Sequence, residues 1–301
     1  MLRWRLILGV LFVAALIAFC WLDSVVARPG AFLLPVALML GWAMVVELLE
    51  MFNQRGRQPL AWALYCGVLL AVFAAGIPIL WPNGIMGNTV AGLGWLAIGL
   101  AAGLLVAFIG ELQRYDGRWH TTINLGLSAL TILYVGGLTG FVVQLRLLNV
   151  GPGSDGRVGM LALLSLIVTV KMSDVGQYAV GRLFGRRKLA PLVSPGKTWE
   201  GALGGVLFAV IGAWIVFRWG ASALLGTTVA VDPVAVISFA LAVAIAGIVG
   251  DLAESMIKRD AGVKDSSTWL PGFGGVLDLL DSVLVAAPVA YVFWALGMVG
   301  P

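Results

Sequence analysis

Apolar runs of about 18 or more residues, separated by short polar segments, recur along the whole chain. They fall near 6–22, 31–52, 60–80, 89–110, 122–143, 158–180, 201–219, 234–256 and 277–298. A helix of that length crosses the hydrocarbon core of a bilayer with every backbone hydrogen bond made internally. The pattern therefore predicts an all-α, polytopic integral membrane bundle of about nine transmembrane helices. Trp21, Trp42, Trp81, Trp119, Trp199, Trp219 and Trp269 are expected near span boundaries, as an aromatic belt requires. The first run has a second reading: its basic start and the Val25-Val26-Ala27 stretch have the form of a cleavable signal. The many later spans make a retained first helix the simpler case.

Composition sharpens this picture. With 60% hydrophobic and 11% charged residues and a mean hydropathy of +1.00, the chain cannot be a water-soluble globule. Most of the 19 basic residues sit in alternate loops counted from the N-terminus. These are Arg3 and Arg5; Arg55 and Arg57; Arg114 and Arg118; Arg182, Arg186, Arg187, Lys188 and Lys197; and Lys258, Arg259 and Lys264. Lys and Arg in short loops mark the cytoplasmic side, so the N-terminus is expected inside and the C-terminus outside. The net charge of +4 thus reports sidedness and affinity for anionic headgroups. Nucleic-acid binding would need a basic face on a soluble module, and none is present. Cys20 and Cys66 lie in apolar segments without metal or redox spacing.

Two phosphate-loop look-alikes fail on context. Gly151, Gly153 and Gly156 satisfy G-x-G-x-x-G, but Pro152 lies among them and no strand precedes them. Gly196-Lys197-Thr198 matches the end of a Walker A loop, yet its first glycine would be position 191, which is Pro191.

The chemistry concentrates toward the C-terminus. Residues 1–120 form an N-terminal transmembrane region, where Glu47, Glu50 and Glu111 read as interface-solvated carboxylates near Arg55 and Arg114. Residues 121–301 form a C-terminal catalytic region with cytoplasmic loops at 182–200 and 257–276. Asp251, Glu254, Ser255 and Lys258 stand at i, i+3, i+4 and i+7, which places them on one helical stripe. Asp278, Asp281 and Ser282 repeat the first three spacings, as do Asp174, Gln177 and Tyr178, with Lys171 three residues before Asp174. Carboxylates near hydrocarbon cost roughly 2.5–3.5 kcal/mol each at mid-bilayer, so a cluster implies compensating cations. If the three stripes converge, they form a cup of hard oxygen donors rimmed by Lys and Arg, suited to Mg²⁺ and phosphate. Helix-locking ion pairs and a transport pathway are the alternatives.

The loop from Gly181 to Gly205 adds a helix start. Ser194-Pro195 is expected to cap the next helix, with Glu200 serving the first turn. Gly201, Gly204 and Gly205 then allow close packing on a neighbour. Lys197 and Thr198 beside a helix N-terminus make an anion site.

The strings SDVGQYAVGRLFG (173–185), SPGKTWEG (194–201) and GDLAESMIKRDAGVKDSSTWLPGFGGVLDLLDS (250–282) resemble the phosphatidate cytidylyltransferases, also called CDP-diacylglycerol synthases. The match covers about residues 120–301, whereas residues 1–120 resemble that family only in being hydrophobic. Two positions depart from its pattern: Phe273 stands where the family has His, and Leu279 where it has Arg.

The resemblance implies transfer of CMP from CTP to phosphatidic acid, giving CDP-diacylglycerol and pyrophosphate for phospholipid synthesis. It implies Mg²⁺ held by Asp251, Asp278 and Asp281, with Lys258 catalytic beside them. Asp174, Ser194, Lys197, Thr198, Glu200, Ser255, Arg259, Lys264 and Asp265 would bind substrate. A bacterial plasma membrane, a site facing the cytoplasm and a homodimer are also implied. A CTP-dependent polyprenol or phytol kinase, an ether-lipid cytidylyltransferase and an ion or phosphate transporter remain as other readings. His120, the sole histidine, sits at a loop end and is given no role.

Overall fold

The computed structural model describes residues 18–20, 22–23, 28–80, 92–117, 120–148, 156–226, 232–267, 269 and 274–300. The chain divides into two compact units, Met1–Leu147 with Asp260–Leu279, and Leu148–Arg259 with Leu280–Pro301.

The first unit holds α1 (Leu33–Gln54), α2 (Ala61–Ala75), α3 (Leu93–Gln113) and α4 (Thr121–Arg146), the last widened by a π turn at Ile132–Gly137. The second holds α5 (Arg157–Phe184), a hairpin of β1 (Lys188–Ala190) and β2 (Ser194–Thr198), and α6 (Trp199–Leu225), with a π turn at Val216–Gly220. Then follow α7 (Pro233–Ala261) and α8 (Val276–Ala295). Among the described residues, seven helices (α1 and α3 to α8) are long and apolar enough to cross a membrane.

Each of these seven coincides with a predicted span. The predicted 6–22 span lies almost wholly outside the described residues. The 60–80 span is shorter than expected, because α2 stops after 15 residues. Pro78 has no N–H and disfavours a continuous helix through its neighbour, so the chain breaks at Gly76 and starts a new turn, Ile77–Leu80. Trp42 is also corrected: it lies within α1, its ring stacked 6.1 Å from that of Tyr65.

Within the first unit, α2 and α3 cross at Gly67 and Gly103, where a Cβ on Gly103 would stand 2.8 Å from the Gly67 carbonyl. A buried ion pair closes one end: Arg146 Nε lies 2.7 Å from Asp23 Oδ2, and the same carboxylate accepts the N–H groups of Gly30 and Phe32. The second unit is centred on aromatic rings. Phe217 meets Phe239 edge-on at 5.5 Å and stacks on Trp294 at 5.7 Å, and the Trp294 indole donates to Ser165 Oγ at 3.0 Å.

Candidate active site

In the second unit α5 and α6 run almost backbone to backbone, as the glycines of 201–205 predict. A Cβ on Gly176 would stand 2.5 Å from the Gly204 carbonyl, and one on Gly201 would stand 2.9 Å from the Gln177 carbonyl. This contact sets the hairpin beside the end of α5. Lys188 pairs with Thr198 and Ala190 with Ser194, with a bulge between.

The expected Ser194-Pro195 helix cap is corrected here, because both residues lie in β2. Thr198 does the capping: its extended backbone turns the chain into α6, and its Oγ1 accepts the Gly201 N–H at 3.1 Å. Strand pairing consumes the segment that could otherwise have begun the helix earlier. Glu200, in the first turn of α6 as expected, also accepts the backbone N–H groups of Arg186 (3.0 Å) and Arg187 (3.2 Å). It fastens the entrance of the hairpin to the start of α6. Arg259 holds the hairpin turn, donating from Nε to the Val193 carbonyl at 3.1 Å.

Asp174 on α5, Asp251 on α7 and Asp281 on α8 come within charge range of one another. The close approach of α7 and α8 arises at Gly250, where a Cβ would stand 2.7 Å from the Asp281 carbonyl. Two ammonium groups face these acids. Lys171 Nζ lies 3.2 Å from Asp174 Oδ2, the pair its spacing predicts, and Lys197 Nζ lies 2.7 Å from Asp251 Oδ2. Ser255 leans back on Asp251, its hydroxyl 3.4 Å from Oδ1. One turn on, Lys258 pairs with the fully buried Glu254 at 2.5 Å.

A cavity of about 500 Å³ opens over this group, lined by Asp174, Gln177, Arg182, Ser194, Lys197 and Asp251 among others. Arg182 lies over the Tyr178 ring and donates to its hydroxyl at 2.6 Å. A flexible ammonium, a guanidinium and hydroxyls facing carboxylates across such a space can hold a polyphosphate beside a hard divalent cation.

The remaining candidates, Lys264, Asp265 and Asp278, belong to the first unit. Lys264 and Asp265 are exposed. Asp278, in the first turn of α8, accepts the N–H groups of Ser266 (2.8 Å) and Gly275 (2.9 Å) on Oδ2, with Ser266 Oγ at 2.7 Å. Phe273 and the Leu270-Pro271 part of the motif lie outside the described residues, as do Gly151 and Gly153. Gly156 is the left-handed residue that opens α5.

Sequence reasoning missed Glu47. The expectation of an interface-solvated carboxylate is overturned, since Glu47 is 0% exposed and accepts from Ser266, Val276 and Leu277. Glu111 does pair with Arg114, at 2.7 Å, but it too is buried rather than solvated, at 4% exposure.

A family model described as the cytidylyltransferase family matches residues 4–296. The chain belongs to that cytidylyltransferase family. It is 43% identical over 136 residues to the phosphatidate cytidylyltransferase of Haemophilus influenzae, an alignment covering 45% of this chain and 46% of that relative. It is 39% identical over 203 residues to the phosphatidate cytidylyltransferase of Pseudomonas aeruginosa (67% and 68% covered). With the protein of that name from Synechocystis it shares 35% over 205 residues (60% and 65%). The chain thus spans from about half to about two thirds of the length of these curated relatives. The cytidylyltransferase match reaches back to residue 4, beyond the region of about 120–301 that carries the motifs.

Proposed function

We propose that this chain transfers the cytidylyl group of CTP to phosphatidic acid, releasing pyrophosphate and forming CDP-diacylglycerol. The observation that carries the reading is the Lys197–Asp251 ion pair lining one cavity with Asp174 and Arg182 in a membrane-spanning cytidylyltransferase-family chain. Family membership and the named relatives support the reaction type.

Such a reaction joins two polyanions, so neutralising charge and aligning the attacking phosphate matter more than proton transfer. Lys197 would leave Asp251 for the triphosphate, and Arg182 at the cavity rim would take a second phosphate. The N-terminus of α6 beside them favours negative charge through the helix dipole. A phosphate monoester is already largely dianionic at pH 7, so its oxygen can attack without a dedicated base.

Mg²⁺ fits the donor chemistry, three carboxylates against two ammonium groups, a hard-oxygen set with net negative charge. Among the described residues no three acidic, His or Cys side chains already stand in a ligand arrangement. Asp251 and Asp281 would hold the ion, which supplies charge stabilisation at the phosphates when bound. The basic hairpin residues Arg186, Arg187 and Lys188 support a cytoplasmic opening in a bacterial plasma membrane, and the family resemblance supports a homodimer.

The test is incubation of the purified protein with CTP, Mg²⁺ and phosphatidic acid, with products weighed by mass spectrometry. A lipid heavier than phosphatidic acid by a cytidylyl group, CMP less one water, formed only with phosphatidic acid present, is expected. Transfer of the γ-phosphate would mark a kinase, and CMP on another lipid would change the acceptor. CTP-independent solute uptake into vesicles would mark a transporter.

A further inference from the structure

Glu47 sits in the 22-residue span α1 with 0% exposure. A carboxylate so placed must be repaid by donors. Its donors come from one short stretch far along the chain: Val276 N–H reaches Oε1 at 2.7 Å, Leu277 N–H reaches Oε2 at 2.9 Å, and Ser266 Oγ lies 2.8 Å from Oε2. Val276 and Leu277 open α8, so their N–H groups are orphans of a helix N-terminus, which a negative charge caps well.

From the other side, Asp278 accepts the N–H groups of Ser266 and Gly275. The single Ser266 hydroxyl stands between the two carboxylates and donates to one at a time. Gly275 closes the arrangement, since a Cβ there would collide with Ser266 Oγ and the Glu47 carboxylate.

We infer that Glu47 is a positioning residue for the signature segment, fixing the stretch that carries Lys264, Asp265 and Asp278. Its kinetic consequence rests on the cytidylyl-transfer reading; its structural consequence does not. With the carboxylate gone, the orphan N–H groups and the Ser266 hydroxyl lose their common acceptor, and the exposed Lys264 and Asp265 lose a fixed base.

The test compares full-length protein with Glu47→Gln in detergent, by hydrogen exchange at residues 264–267 and 274–278 and by steady-state kinetics. Exchange there should quicken by about ten-fold or more, the size of one lost charge-assisted hydrogen bond. For CTP transfer, kcat should fall by about 10²-fold with KM changed far less, as for a small misplacement of reacting groups. Gly275→Ala should reproduce both effects with Glu47 intact.

Unchanged exchange in Glu47→Gln overturns the inference. If Glu47→Gln fails to fold, Ser266→Ala removes one donor only, and a segment no looser than wild type in that variant overturns it equally. A wild-type chain without CTP-dependent product whose segment nonetheless loosens in Glu47→Gln leaves the clamp standing and refutes the activity reading.

Discussion

Lys197 and Asp251 are ion-pair partners to which the proposed reaction gives different tasks, and substitutions should separate them. Their side chains are 15% and 33% exposed, and both line the cavity. Lys197→Ala should raise KM for CTP by about ten-fold, the loss of one charge-assisted contact, with a smaller change in kcat, read by initial rates. Asp251→Asn should instead lower kcat by orders of magnitude while melting is preserved, and near-normal turnover would refute its metal role. The Asp23–Arg146 pair behaves differently, since both side chains are only 2% exposed. Arg146→Leu should cost about 3–5 kcal/mol, and adding Asp23→Asn should recover part of it, as measured by denaturant unfolding. Lys171–Asp174 was legible in the sequence because three residues on a helix is a contact distance. Glu47 was not, because its donors lie 219 to 230 residues away and its own surroundings look like an ordinary helix end.

At the scale of elements, glycine spacing and tertiary pairing explain what could be foreseen. The α5–α6 contact followed from Gly201, Gly204 and Gly205, since only small residues let two backbones approach so closely. Gly176→Ala should lower stability by about 1–3 kcal/mol, because its Cβ would press on the Gly204 carbonyl and on Phe208. Gly126→Ala is the control: nothing lies within 4 Å of that Cβ, and better helix propensity should leave melting unchanged or raise it slightly. The hairpin was hidden for a different reason. Ser194-Pro195 satisfies local capping rules, but Lys188 and Ala190 supply a partner strand, and cross-strand pairing outweighs a local cap. The break at Gly76 was legible in principle through Pro78, whereas the two π turns leave no mark in hydropathy.

For the whole molecule, span positions were readable because bilayer thickness dictates helix length, while the grouping into two units depends on contacts distant in sequence. Sidedness is directly testable. With Cys20 and Cys66 replaced by Ala, a cysteine at Leu192, 93% exposed at the hairpin turn, should react with an impermeant maleimide only when the cytoplasmic face is open. The pairing of Lys171 and Lys197 with Asp174 and Asp251 reaches further still. A vacant pocket of bare carboxylates would repel itself and lean on its ion for integrity, yet here resident side chains already balance most of the negative charge. Chelation should therefore silence turnover and leave thermal unfolding almost where it was, so that starvation for divalent ions idles the protein without dismantling it.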